Sequence, residues 1–228
     1  MPLLRGNSPS GKPLAVNSQP GSIPRKTQDT WVDILLCEAC EALLNENYDS
    51  YGIGVLKGEQ CVLHKSAQGL ELQNVDSRRL RRFFLSVLWR ASISKHEVYS
   101  QVVLPFSIEN NLRESFLFNL PIPSSRLSVV LRRLKDTHNL FPKSNIGLRE
   151  LVMPPVRRNF DTFHTYIYLL LGFVVEVYLP RIPKQFGVNQ ISILGTQKVV
   201  SVPFCEALEF EPLLHVFGPQ IAQSTGPA

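Results

Sequence analysis

The chain is short of almost every feature that identifies a protein at a glance. Four Cys in 228 residues are too few for a disulfide scaffold. No run of about 18 uninterrupted apolar residues occurs, which argues against a transmembrane helix and a membrane partner. Charged residues make up only 19% and the hydrophobic set reaches 44%, which excludes a disordered chain. The opening MPLLRGNSPSGKP lacks the apolar core of a secretory signal, so a reducing cytoplasm is the expected compartment. Walker loops, GxGxxG, GxSxG and HExxH are all missing. His96, His138, His164 and His215 are scattered without paired-ligand spacing. No catalytic residue and no small-molecule cofactor is therefore expected. What remains is a soluble globular protein of one large domain, or of one domain with a small module.

The net charge of +5 is unevenly spread. Residues 203–228 hold Glu206, Glu209 and Glu211 but no Lys or Arg, which leaves 24 basic against 16 acidic residues in 1–202. A basic body with an acidic end suits an anionic partner such as nucleic acid, and equally suits an ordinary solvated surface.

The chain divides by composition. Residues 1–25, with five Pro among Gly, Ser and Asn up to position 24, read as a flexible arm. Residues 26–75 form a small Cys-bearing unit, 76–218 the main body, and 219–228 a polar tail expected to fray. Within the front unit, CEACEALLNENY reads as a helix. YGIGVLKGEQCVLHK (51–65) reads as a turn-rich β segment in which Gly52, Gly54 and Gly58 break any helix.

The clearest periodicity lies over 76–93. Leu80, Phe83, Phe84, Val87, Leu88 and Ala91 recur at helical spacing, with Asp76 or Ser77 as the N-cap. A shorter helix is expected near 107–119, capped by Ser107. After Pro123, segments 127–134, 149–153, 165–180, 190–194 and 198–203 are rich in β-branched and aromatic residues and read as strands. Residues 165–180 carry Glu176 and bend at Gly172, as a buried strand or strand pair would. Gly195-Thr196-Gln197 is expected to turn a hairpin. The expected fold is α+β: a zinc-knuckle-like helical unit and amphipathic helices, followed by a mainly antiparallel β-sheet.

Cys37-x2-Cys40 is followed after twenty residues by Cys61-x2-His64. Zinc takes four tetrahedral Cys or His ligands, and two short-spaced pairs meet that requirement. Cys37, Cys40, Cys61 and His64 are thus the candidate Zn2+ ligands. The alternatives are that Cys37 and Cys40 are redox thiols, that Cys37 is a buried small apolar residue, and that Cys61 and His64 stand there incidentally.

LLCEACEALLN (35–45), followed some forty residues later by FFLSVLWRASIS (83–94), resembles a group of uncharacterised bacterial and phage proteins that begin with an HNH-like, treble-clef zinc module. The resemblance spans about residues 26–105. It implies that Cys37 and Cys40 are the second half of a zinc knuckle, on the first turn of the treble-clef helix. It also implies an earlier Cys pair and a His, whereas no Cys or His precedes Cys37 here. In HNH chemistry that His activates the attacking water beside a divalent metal.

On a helix over 76–93, Arg78, Arg79, Arg82, Ser86, Trp89 and Arg90 fall within one arc of about 120°. Four of the residues 78–82 are Arg, set against the positive end of the helix dipole. Each such placement costs about 0.3–1 kcal/mol unless an anion or carboxylate compensates. Arg78, Arg79, Arg82, Trp89 and Arg90 are therefore candidates for nucleic-acid contact, the guanidinium forks on phosphates and the indole on a base. The alternative is a structural or solvated face, with Trp89 buried. The resulting expectation is a cytoplasmic nucleic-acid-associated protein derived from an HNH-like zinc module, binding rather than cleaving. Two other readings stay open: a protein–protein interaction subunit with a structural zinc unit, and a metal-dependent nuclease if an N-terminal segment is missing.

Overall fold

The computed structural model describes residues 14–15, 25–26, 35–123, 126–137, 147–180, 191–211 and 213, for 14–15, 25–26 and 208 the backbone only. Most of the expected arm, the tail, His138 and His215 lie outside the described residues.

Residues 38–57 form one helical stretch: α1 (Glu38–Leu44), a π-helical turn over Asn45–Asp49, and α2 (Ser50–Lys57). The expected β segment over 51–65 is thus helical for half its length, and its glycines are helix residues. Gly52 sits where a Cβ would come within 2.1 Å of the Phe83 ring, so its missing side chain sets the approach of α2 to the long helix α3 (Ser77–Ile93). Only Gly58, at φ 83°, terminates α2 in the left-handed conformation that favours glycine.

Helix α3 follows the apolar stripe closely. The Asp76 carboxylate accepts from the Arg79 N–H as N-cap, and Leu80, Phe83, Phe84 and Leu88 are fully buried. Burying each such side chain contributes about 1.5–3 kcal/mol. Helix α4 (Phe106–Leu117) begins one residue before the expected Ser107 cap, with Pro105 at the N-cap and its carbonyl accepting the Ile108 and Glu109 amides.

The strands are β1 (Leu14–Ala15), β2 (Arg25–Lys26), β3 (Val62–Lys65), β4 (Gly69–Gln73), β5 (Ser128–Lys135), β6 (Leu151–Asn159), β7 (His164–Leu170), β8 (Phe173–Leu179) and β9 (Val199–Glu206). They form one sheet in the order β2-β1-β6-β7-β8-β5-β9-β4-β3. All pairings are antiparallel except β1–β6 and β5–β9, so the fold is α+β with a mainly antiparallel sheet. The apolar run 165–180 is a strand pair. Leu171 and Gly172, both at positive φ, form the two-residue turn that matches the twist of the flanking strands.

The expected hairpin at Gly195-Thr196-Gln197 does not form. β9 is already claimed by β4 on one side and β5 on the other, and residues 191–195 contribute only the bridge Ser192–Val130. The Gln197 side chain ties this segment instead, accepting from the Leu194 and Gly195 amides and donating to Ser192 O.

One face of the sheet packs against the helices. Tyr168 donates its hydroxyl to Phe84 O at 2.8 Å, and Tyr166 donates to Val103 O. Leu44, Tyr48 and Val55 of the front unit share this core with Val129, Tyr168 and Val202 of the sheet. The opposite face buries Leu151, Met153, Leu169 and Val174 beneath Ala207, Phe210 and Leu213. No helix among the described residues is long and apolar enough to cross a membrane.

Candidate functional site

The thiol pair and the arginine helix meet at the helical front. The π-helical turn over 45–49 inserts an extra residue between α1 and α2, and together with α2 it packs on α3. Asp49, 2% exposed, accepts from both terminal nitrogens of Arg90 at 2.8 and 2.7 Å, and Arg90 is itself 2% exposed. Glu41 Oε1 stands 3.7 Å from the same guanidinium, and Arg90 Nε donates to Ser86 O.

The neighbouring arginines are equally occupied. Arg82 donates to the Tyr48 hydroxyl at 2.8 Å, to Asn119 Oδ1 and to Leu120 O. Arg79 donates to Glu46 O and Asn47 O on the π-helical turn, with its guanidinium 4.6 Å from the Tyr51 ring centroid. Arg78 is exposed and reaches Asn119 O at 3.4 Å. Trp89 is 4% exposed and packs on Phe116, ring centroids 5.6 Å apart. The guanidinium cluster at the start of α3, Arg78 to Arg82, is therefore met by backbone carbonyls, the Tyr48 hydroxyl and the Asn119 amide oxygen, and the buried Asp49 carboxylate pairs with Arg90 in the last turn. Of the five candidate contact residues, only Arg78 is exposed and Arg79 partly so; Arg82, Trp89 and Arg90 are buried structural groups.

Arg81 plays a role that the sequence did not single out. It donates to Ile122 O at 2.8 Å and to Leu127 O at 2.9 Å, pinning the segment between α4 and β5. Burial, with the adjacent Arg82 charge, lowers its guanidinium to about 10. Asp49 and Tyr48 were also missed. Their only sequence signal was the run CEACEALLNENYDS continuing as a helix, and nothing in its periodicity marks an extra residue per turn.

The four candidate zinc ligands take different positions. Cys37 occupies the N-cap of α1, exposed, and Cys40 lies half-buried on the first turn. Hydrogen bonds from the Cys40 amide and thiol hold the Cys37 thiol below its ordinary value, and the same contact raises Cys40. Such a pair presents two soft donors on one helical turn. Cys61 lies between α2 and β3 with its thiol directed to Val55 O at 3.6 Å, and burial raises it. His64 is exposed on β3, in register with Glu71. Among the described residues no three His, Cys, Asp or Glu side chains are grouped so as to hold a metal ion. Cys37 and Cys40 suit half of a tetrahedral site; Cys61 and His64 do not join them in this arrangement.

Beside the thiols a groove of about 510 Å³ runs between α1, α3 and α4. Cys40, Leu44, Ile93, Phe106 and Phe116 line it, and Phe106 is 83% exposed.

A search of family models finds none that matches this chain, and neither the curated proteins nor the solved structures contain a match.

Proposed function

We propose that this chain is a nucleic-acid-associated binding protein, and that residues 35–57 are the thiol-bearing half of an HNH-like zinc module. The observation that carries the reading is the thiol pair. Cys37 and Cys40 stand together on the opening turn of a helix, as the second ligand pair of a treble clef does, their thiols in mutual contact. The helix they open is locked to the body by the Asp49–Arg90 pair, so bound metal would sit on a rigid platform. Zinc would supply structural cross-linking there, with two further donors completing its tetrahedron. Contact with an anionic polymer falls to exposed cations such as Arg78, Lys57 and Arg113, since Arg82 and Arg90 are engaged internally.

The second reading, a protein-interaction subunit, has its own support. The groove between α1, α3 and α4 is largely apolar and has the fully presented Phe106 at its wall, as a docking surface for a partner side chain would.

Metal content of the purified protein, compared with Cys37→Ser/Cys40→Ser, tests the zinc half of the proposal. Bound zinc that the double variant loses supports it; a well-folded, metal-free wild type overturns it. Anisotropy of a labelled random duplex, measured between about 50 and 200 mM salt, tests the other half. Affinity that falls steeply with salt and weakens in Arg78→Ala supports nucleic-acid association. No binding at the low-salt end hands the function to the protein-partner reading.

A further inference from the structure

Of the four free thiols, Cys37 and Cys40 meet: the Cys40 amide and thiol both hydrogen-bond to the Cys37 sulfur. Cys61 and Cys205 instead turn their thiols to backbone carbonyls, Val55 O and Glu206 O, each at 3.6 Å.

The backbone already holds the pair at the separation a disulfide spans. The Glu41 N–H donates to Cys37 O at 3.0 Å, which closes the first helical turn around residues 37–40. Residues three apart on such a turn have Cα atoms about 5 Å apart. A disulfide joins Cα atoms about 4.4–6.8 Å apart. The turn is itself held in place, since Asp49 ties the helical stretch to buried Arg90 and α1 packs on α4. An S–S bond can therefore close by rotation of two side chains, with the fold unchanged. The two sulfurs differ in access. Cys37 is exposed, whereas Cys40 is half-buried at the wall of the groove between α1, α3 and α4.

We propose that Cys37 and Cys40 form a reversible disulfide, a dithiol site that reduces low-molecular-weight disulfides of the glutathione class. The accessible Cys37 sulfur loses its proton and attacks one sulfur of the oxidant, whose S–S bond breaks to release the first thiol. The Cys40 thiol then loses its proton and attacks the Cys37 sulfur of the mixed disulfide, releasing the second thiol. The chain gives up two electrons and two protons, and the oxidant departs as two thiols. This inference goes beyond the zinc reading and does not rest on it, because it needs two sulfurs in contact and no further ligand. A metal ion and a disulfide are alternatives at the same atoms, so metal content and thiol content fail separately as tests.

The full chain, native and unfolded in urea, is equilibrated with glutathione mixtures of graded disulfide content, with and without a chelator. After acid quenching, free thiols are alkylated and located by peptide mass. A Cys37–Cys40 disulfide is expected, with Cys61 and Cys205 still reduced. Because the folded turn holds the sulfurs together, the native chain should close the bond in a mixture at least about tenfold less oxidising than the unfolded chain requires. Cys40→Ser, which lacks the second thiol, should accumulate one glutathione on Cys37. If that variant fails to fold, the comparison of native with unfolded wild type decides. A wild type that keeps both thiols under excess glutathione disulfide with the chelator present overturns the proposal. So does a bond that closes no more readily in the native chain than in urea, or one that joins Cys37 or Cys40 to Cys61.

Discussion

Replacing Asp49 by Asn tests whether the front unit is clamped by one buried ion pair. The substitution keeps the shape and an acceptor oxygen but leaves the Arg90 charge, 2% exposed, without its carboxylate. Breaking a buried pair by removing one partner costs about 3–5 kcal/mol, most of it the burden of the uncompensated charge. Glu41, at 3.7 Å with its side chain 42% exposed, compensates part of that charge, which places the expected loss near the lower end, about 3 kcal/mol. In a chain of this size each kcal/mol moves Tm by about 2–4 °C, so the midpoint should fall by about 6–12 °C. The assays are thermal melts for the midpoint and urea unfolding for the free energy, both followed by far-UV circular dichroism, with hydrogen exchange reporting whether residues 38–57 open first. Asp49→Leu with Arg90→Met removes both charges and should recover much of the loss, because the desolvation cost disappears with the pair. A single substitution costing under about 1 kcal/mol, or a double variant no better than the single one, would refute the account of how the thiol-bearing helix is held.

Four further outcomes are expected. Gly52→Ala gains about 1 kcal/mol of helix propensity but drives a Cβ into the Phe83 ring, so thermal melts should show net destabilisation of about 0–2 kcal/mol, relieved by Phe83→Leu. Iodoacetamide labelling against pH should modify Cys37 at lower pH than Cys61 or Cys205, which burial raises, and Cys37→Ser should abolish the low-pH fraction. Hydrogen bonds from Thr137, with Lys135 beside it, lower the Glu206 carboxyl to about 2. Its contribution is thus fully present above the ordinary value of 4.5 and is lost as pH falls toward about 2. The stability gap between wild type and Glu206→Gln should close over that window in acid-unfolding curves, and a gap independent of pH would contradict it. Finally, Arg5, Lys12, Arg25 and Lys26 fall in the first 26 residues, a stretch whose sequence has no Asp or Glu. If duplex binding is electrostatic, changing all four to Gln should flatten the salt slope, measured by anisotropy, by up to about 3.6.

Different physical scales explain what could be read from the chain and what could not. α3 was legible because its apolar residues repeat at the helical period and its Asp76 cap is a local device. The β7–β8 hairpin was legible because β-branched and aromatic residues flank a glycine that can adopt positive φ. Gly52 misled because a glycine tolerated for close packing on Phe83 looks, in one dimension, like a helix breaker. The turn after Ser192 misled because both edges of β9 are taken by β4 and β5, which come from distant parts of the chain.

The arginine helix shows the same limit in the candidate site itself. A helical wheel gives the angle at which a side chain leaves the axis; it carries no information about what stands opposite. Arg78, Arg79, Arg82 and Arg90 share an arc, yet the partners across that arc are carbonyls of residues 46, 47, 119 and 120, the Tyr48 hydroxyl, the Asn119 amide oxygen and the carboxylates of Asp49 and Glu41, all 30 or more residues away. Carbonyl oxygens carry no sequence signature, so a guanidinium bound to them looks unpaired on paper. The described residues between 35 and 211 in fact hold as many acidic as basic side chains, so the chain's positive surplus belongs to residues outside that set. The arginines of α3 fasten the Cys37–Cys40 helix and the segment after α4 onto one core. Any attraction the protein has for a polyanion must then arise from cations that α3 does not supply, apart from Arg78.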